Sequence, residues 1–243
     1  MPQRSIFKEH LIDDSKLALG ILNLIARFSH LRTKDVARYF KWSEFKARRN
    51  LNLLLDDKLL LAVERPDRTK VYGLSATGRN LVKSNDSQAV CASSLKYLRS
   101  LGNYEHRCRA NDVCIYFADT YAFSTEYEIQ TCAAPIKSLF GKIPDALIYT
   151  DMGTLWVEVE LSKRNEQSWY DLIRWFVLVF SKKYYDKPEL LAEQDLYILR
   201  VEFYCNMHFD NLFYKRLCLA VGEMKATDLL DCYAHFIPAD SLG

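Results

Sequence analysis

The chain has 243 residues, enough for one large or two modest domains at about 100–200 residues each. Its 49% apolar and 26% charged content excludes wholesale disorder, and its densest apolar run, Trp175 to Phe180, falls far short of the roughly 20 residues of a membrane span. A net charge of +2 conceals a split: residues 1–84 carry 17 Lys and Arg against 9 Asp and Glu, whereas residues 85–243 carry 16 against 22.

A basic front half suits a polyanion such as DNA, and an acidic back half argues against a chain that merely coats nucleic acid. The polar stretch Ser84-Asn85-Asp86-Ser87-Gln88 marks the boundary. The expected domains are 1–84, a linker at 85–95, and 96–243. Asp13, Asp14 and Lys16 break the apolar N-terminal stretch, so no signal peptide is expected. Seven cysteines without a CxxC pair argue against zinc modules and disulfide frameworks and for a reducing, cytoplasmic setting.

In chain order, Leu17, Ile21, Leu24, Ile25 and Phe28 form one face of a helix that Asp14 or Ser15 can cap. Thr33 opens a second, short helix with Val36, Ala37 and Phe40 inward. Ser43 caps a third, with Phe45, Leu51, Leu54 and Leu55 toward the core and Lys46, Arg48, Arg49 and Asn52 outward. Strands are expected at Leu59 to Val63 and Lys70 to Leu74, joined by the turn Arg65-Pro66-Asp67-Arg68-Thr69, and a closing helix begins near Ser75. This order resembles winged helix-turn-helix DNA-binding domains. The resemblance implies that the Ser43 helix enters the major groove. Lys41, Lys46, Arg48 and Arg49 would then contact DNA, and Arg65, Arg68 and Lys70 on the wing would touch phosphate or minor groove.

The back half holds one chemical constellation. A strand begins at Asp145 after Pro144, Asp151-Met152-Gly153 signals a turn, and the next strand runs from Thr154 to Leu161. Alternation puts Leu155, Val157, Val159 and Leu161 on one face and Trp156, Glu158 and Glu160 on the other. Asp145 then lies opposite Glu158 or Val159, and three carboxylates crowd one end of a sheet. Like charges across strands repel, and a bound divalent cation is the simplest offset, since Mg²⁺ and Mn²⁺ prefer hard oxygen ligands. Lys163, just past the strand, supplies a second means of neutralisation. Such a cluster suits phosphodiester cleavage. Farther on, Trp169, Leu172, Ile173, Phe176, Val177 and Phe180 make a helix face for sheet packing, ended by Lys182, Lys183, Tyr184 and Tyr185. A strand over Leu196 to Tyr204 and a helix from Asp210 follow.

Pro144-Asp145, twelve residues, then Glu158-Val159-Glu160 resembles the PD-(D/E)XK nuclease motif, whose fold is a mixed sheet flanked by helices. The flanking segments 103–112 (NYEHRCRAND), 125–130 (TEYEIQ), 143–147 (IPDAL) and 156–164 (WVEVELSKR) resemble the replication-relaxation family of plasmid proteins. Within that family the chain is most similar to MobC-type relaxases of the MOBC class. The resemblance implies an α+β chain, a winged helix followed by a PD-(D/E)XK-like domain. It implies a Mg²⁺- or Mn²⁺-dependent endonuclease that nicks double-stranded plasmid DNA at an origin of transfer, with a coupling protein of the transfer apparatus as partner. Asp145 and Glu158 would ligate the metal. Glu160 stands where the motif has lysine and would be a further ligand or the general base, with Lys163 supplying the missing positive charge from the following helix. Glu126 is a secondary acidic candidate, against which stands an exposed carboxylate in a strand alternating with Tyr127 and Ile129.

The five histidines form no local ligand pair, and among fifteen tyrosines Tyr184 and Tyr185 are the first to test as nucleophiles. His106, beside Arg107 and Arg109, reads as a satisfied structural histidine. Two other functions compete: a non-catalytic, sequence-specific DNA-binding regulator of plasmid replication or transfer, favoured by Glu160 in place of lysine, and a scaffold whose winged helix holds a protein. Winged-helix readers are commonly dimeric, so a homodimer belongs to the expectation.

Overall fold

The computed structural model describes residues 7–87, 89, 91, 104–131, 134, 138–180 and 197–241, and of residues 7–14 the backbone alone. The chain divides into two compact units, Met1–Gly102 and Asn103–Gly243. Tyr184 and Tyr185, their neighbouring lysines and much of the expected linker lie outside the described residues.

In the first unit, α1 (Phe7–Phe28), β1 (Leu31–Arg32), α2 (Thr33–Tyr39) and α3 (Glu44–Asp56) precede a hairpin of β2 (Leu60–Glu64) and β3 (Lys70–Leu74), and α4 (Ala76–Asn85) closes it. The three strands are antiparallel in the order β1-β3-β2. Helix α1 begins at Phe7 rather than near Leu17, so Asp14 and Ser15 lie within it and not at its start. Ser43 caps α3 by accepting from the Lys46 amide at 3.3 Å. Asp35, buried at the start of α2, accepts from the Arg32 amide at 2.7 Å and from its guanidinium at 2.7–3.0 Å.

The core face of α3 is Ala47, Leu51 and Leu54, with Leu55 half-buried. Phe45, expected inward, is 79% exposed. At 3.6 residues per turn it sits on the side of α3 away from those three. The β2–β3 turn closes through the Arg65 amide on the Thr69 carbonyl (2.9 Å), and Asp67 accepts from the Thr69 amide at 2.9 Å. Ser75 caps α4 by accepting from the Gly78 amide at 3.0 Å. Gly78 is required by proximity: a Cβ there would meet the Leu59 carbonyl oxygen at 2.1 Å.

The second unit is mixed α+β. Helix α5 (Tyr104–Phe117) leads into β4 (Ala122–Thr125), α6 (Glu126–Gln130), β5 (Ala146–Thr150) and β6 (Gly153–Glu160). Then come α7 (Glu166–Phe180), β7 (Ile198–Cys205), α8 (Phe209–Val221), α9 (Glu223–Tyr233) and β8 (Ala234–Pro238). The sheet runs β4-β5-β6-β7-β8, with the first two pairings antiparallel and the last two parallel. Residues 126–130, expected as strand, are helical because Thr125 and Glu128 form a reciprocal capping box (2.9 and 3.1 Å).

Strand β6 is central and covered on both faces. Trp156 joins Leu147, Val201 and Phe203 against Trp169, Leu172, Ile173 and Phe176 of α7 and Phe209 and Phe213 of α8. Ile148, Val157 and Val159 are also buried but lie outside that cluster, on the side where α5 packs. Trp156, Glu158 and Glu160, which alternation places on one face of β6, are all buried.

Candidate functional site

The β5–β6 hairpin creates the carboxylate centre. Thr150 Oγ1 donates to the Gly153 carbonyl at 2.6 Å and accepts from the Met152 amide at 3.3 Å, closing a tight turn. Gly153, at φ +142°, lies against Tyr197, whose ring a Cβ would meet at 2.7 Å. Pairing of Ala146 with Val157 fixes the register, and one step farther Asp145 stands opposite Glu158. The Asp145 amide donates to the Val157 carbonyl at 3.0 Å, and its Oδ2 accepts from the Val159 amide at 2.7 Å.

Each carboxylate faces a cation. Lys142 Nζ is 2.6 Å from Glu158 Oε2, while Trp156 Nε1 donates to Oε1 at 2.6 Å. Arg164 grips Glu160 at both oxygens, with Nε donating to Oε2 at 2.8 Å and Nη2 to Oε1. His106 Nε2 is 3.1 Å from Asp145 Oδ2, and Arg107 is 3.8 Å from Glu126. Lys142 is presented by a turn in which the amides of Leu139 and Lys142 donate to each other's carbonyls at 2.9 and 3.0 Å. Trp175 Nε1 ties that turn to α7 by donating to the Leu139 carbonyl at 3.0 Å.

Proton affinities follow. Burial pushes Glu158 up to about 7, aided by the charges of Asp145 and Glu160 and opposed by Lys142. Burial acts downward on the His106 imidazolium, but the hydrogen bond and charge of Asp145, with Glu126 and Glu158, outweigh it and hold the ring at about 9. Burial also raises Glu126, against the pull of Arg107.

Asp145, Glu158 and Glu160 are thus brought together at one end of β6. Lys163 is not part of this cluster: it is exposed, in the stretch before α7 rather than on the helix, and Arg164 supplies the positive charge expected of it. His106, Lys142 and Arg164 were not anticipated as partners, although His106 and Arg164 fall within the segments that carried the family resemblance.

Among the described residues, no group of three or more His, Cys, Asp or Glu closes on a common point able to hold a metal ion. The donor chemistry nevertheless fits a hard divalent cation. Asp145 and Glu158 stand opposite each other as hard oxygen donors, Mg²⁺ ordinarily takes only one or two protein carboxylates beside water and substrate phosphate, and a metal ion on Glu158 would take the place that Lys142 holds.

The basic residues of the first unit sit on α3 and the hairpin. Lys41, Lys46, Arg48 and Arg49 are exposed, as are Arg68 and Lys70, whereas Arg65 is half-buried. The Lys46 ammonium lies 4.6 Å from the Trp42 ring centroid, and Arg48 is 4.0 Å from Glu44. Among the described residues, no helix is long and apolar enough to cross a membrane.

No family model matches the chain, and no curated protein does. Among solved structures, a double mutant of ZitR from Lactococcus lactis in its apo form aligns over 46% of this chain and 86% of its own, at 13% identity and a TM-score of 0.28.

Proposed function

We propose that the chain is a plasmid mobilisation relaxase, a site- and strand-specific, metal-dependent endonuclease that nicks double-stranded DNA at an origin of transfer. In this reading the first unit is a winged helix that finds the site, and the second is a PD-(D/E)XK-like domain that cuts. The observation that carries the reading is the hairpin register that sets Asp145 opposite Glu158, with Glu160 at the same strand end. A mixed sheet with helices on both faces supports it.

Asp145 and Glu158 would hold Mg²⁺ or Mn²⁺, which when bound polarises a phosphoryl oxygen and lowers the pKa of a bound water. The chain's own groups do the rest. Lys142 and Arg164 place positive charge beside the carboxylates, where an incoming phosphate needs it and where the family motif uses its lysine. His106 keeps a proton on Nε2 toward Asp145 at neutral pH and so fixes that carboxylate. The resemblance extends the proposal to a coupling protein as partner, a homodimer as the DNA-bound form, and the cytoplasm as the place of action.

The test is conversion of supercoiled mobilisable plasmid to open circles with Mn²⁺, Mg²⁺ or EDTA. Metal-dependent nicking is expected, abolished in Asp145→Ala and Glu158→Ala while DNA binding persists. Nicking at the wild-type rate in both variants would overturn the site. A second reading, the non-catalytic DNA-binding regulator, is favoured by the closed ion pairs, above all Arg164 on Glu160. It predicts no relaxation with any metal and an intact sequence-specific band shift.

A further inference from the structure

Helix α3 turns three residues of different chemistry to solvent in one line. Phe45, Arg49 and Asn52 follow the i, i+4, i+7 spacing of a single helix face, and the core residues Ala47, Leu51 and Leu54 occupy the other side. All three are exposed, Phe45 by 79%. A lone surface phenylalanine needs no explanation, but this one heads a line of donors and is flanked by Lys46 and Arg48. Glu44 opens the helix and lies 4.0 Å from Arg48, and two further acids, Asp56 and the following Asp57, stand at the far terminus. Lys46, Arg48 and Arg49 outnumber Glu44 at the Phe45 end, and helix polarity favours an anion at the same end.

We propose that Phe45, Arg49 and Asn52 are the base-reading edge of α3, which takes double-stranded DNA by its major groove. Phe45 sits on a thymine methyl, Arg49 on the O6/N7 edge of guanine and Asn52 on the N6/N7 edge of adenine, the partners that match each side chain's apolar or donor–acceptor surface. Lys46 and Arg48, to either side of the line, contact phosphates and carry affinity without sequence. The inference rests on the DNA-binding reading above and adds to it which residues choose the sequence.

The full-length protein would select a site from a pool of random duplexes, and variants would be compared on that duplex by band shift. Replacing each thymine in turn by deoxyuracil should weaken the wild type roughly fourfold at one position, the effect of one buried methyl. Phe45→Ala should be indifferent to the same replacement. Arg49→Ala and Asn52→Ala should each relax preference at one base pair, whereas Lys46→Ala should weaken all sequences alike and lower the salt slope by about 1. Variants at 45, 49 and 52 that keep the wild-type consensus and the wild-type response to uracil would overturn the assignment while leaving DNA binding intact. Failure of the wild type to select any site would instead overturn the DNA-binding reading, and the assignment with it.

Discussion

Removal of His106 should cost the second unit stability at low pH and little above pH 9. The ring lies 3.1 Å from Asp145, and its pKa rises from an ordinary 6.5 to about 9. A rise of that size corresponds to on the order of 3 kcal/mol, somewhat less in salt because the side chain is 27% exposed. The sign is fixed by proton uptake. Between 6.5 and about 9 the folded state holds a proton that the unfolded state has lost, so stability declines as pH rises through this window. The contribution is complete below 6.5 and gone above about 9. His106→Ala should therefore trail the wild type most at pH 6, with the gap narrowing by on the order of 3 kcal/mol at pH 9.5. In urea that is a midpoint difference of about 1–2 M. Three of the four tryptophans, Trp156, Trp169 and Trp175, belong to this unit and report its unfolding by emission. Equal gaps at the two pH values would refute the ion pair, because the packing lost with the ring does not depend on pH.

Lys142→Met leaves Glu158 buried without its cation, which should destabilise the unit by about 3 kcal/mol at pH 8. The loss should shrink at pH 5, where Glu158 is protonated instead, and adding Glu158→Gln should recover most of it; urea melts at both pH values check this. Gly78→Ala drives a methyl into the Leu59 carbonyl and should cost the first unit about 1–3 kcal/mol, read from its thermal unfolding, with no effect on the second unit.

The sequence exposes most of this architecture because much of it is local. Helix order, the β2–β3 turn, the Asp151-Met152 turn and the apolar face of α7 all depend on neighbours within a few turns of chain. Phe45 faces outward because Ala47, Leu51 and Leu54 fix the core side of α3, whereas spacing alone lets an apolar residue at the start of a helix fit either face. The capping pair Thr125 and Glu128 was a readable helix signal, but the alternation of Tyr127 and Ile129 competes with it over so short a stretch. Strand β8 and helix α9 left no strong pattern, being short and only partly buried. The carboxylates of the candidate centre were legible because one strand pair carries them. Their cations were not: Lys142 arrives through a turn with two consecutive residues at positive φ, and His106 arrives from a helix across the sheet, contacts that no spacing rule foretells.

The placement of those cations bears on how the charged centre comes into being during folding. Lys142, Asp145, Glu158, Glu160 and Arg164 all belong to one continuous stretch around the β5–β6 hairpin, whose turn spans only Asp151 and Met152. Hairpins of this kind close in microseconds, long before parallel strands such as β6 and β7 can meet across an intervening helix. The stretch thus carries its own counterions, and three negative charges can be gathered before the rest of the sheet arrives to bury them. His106 comes from α5, outside this stretch, so its contact with Asp145 is one that the hairpin alone cannot make.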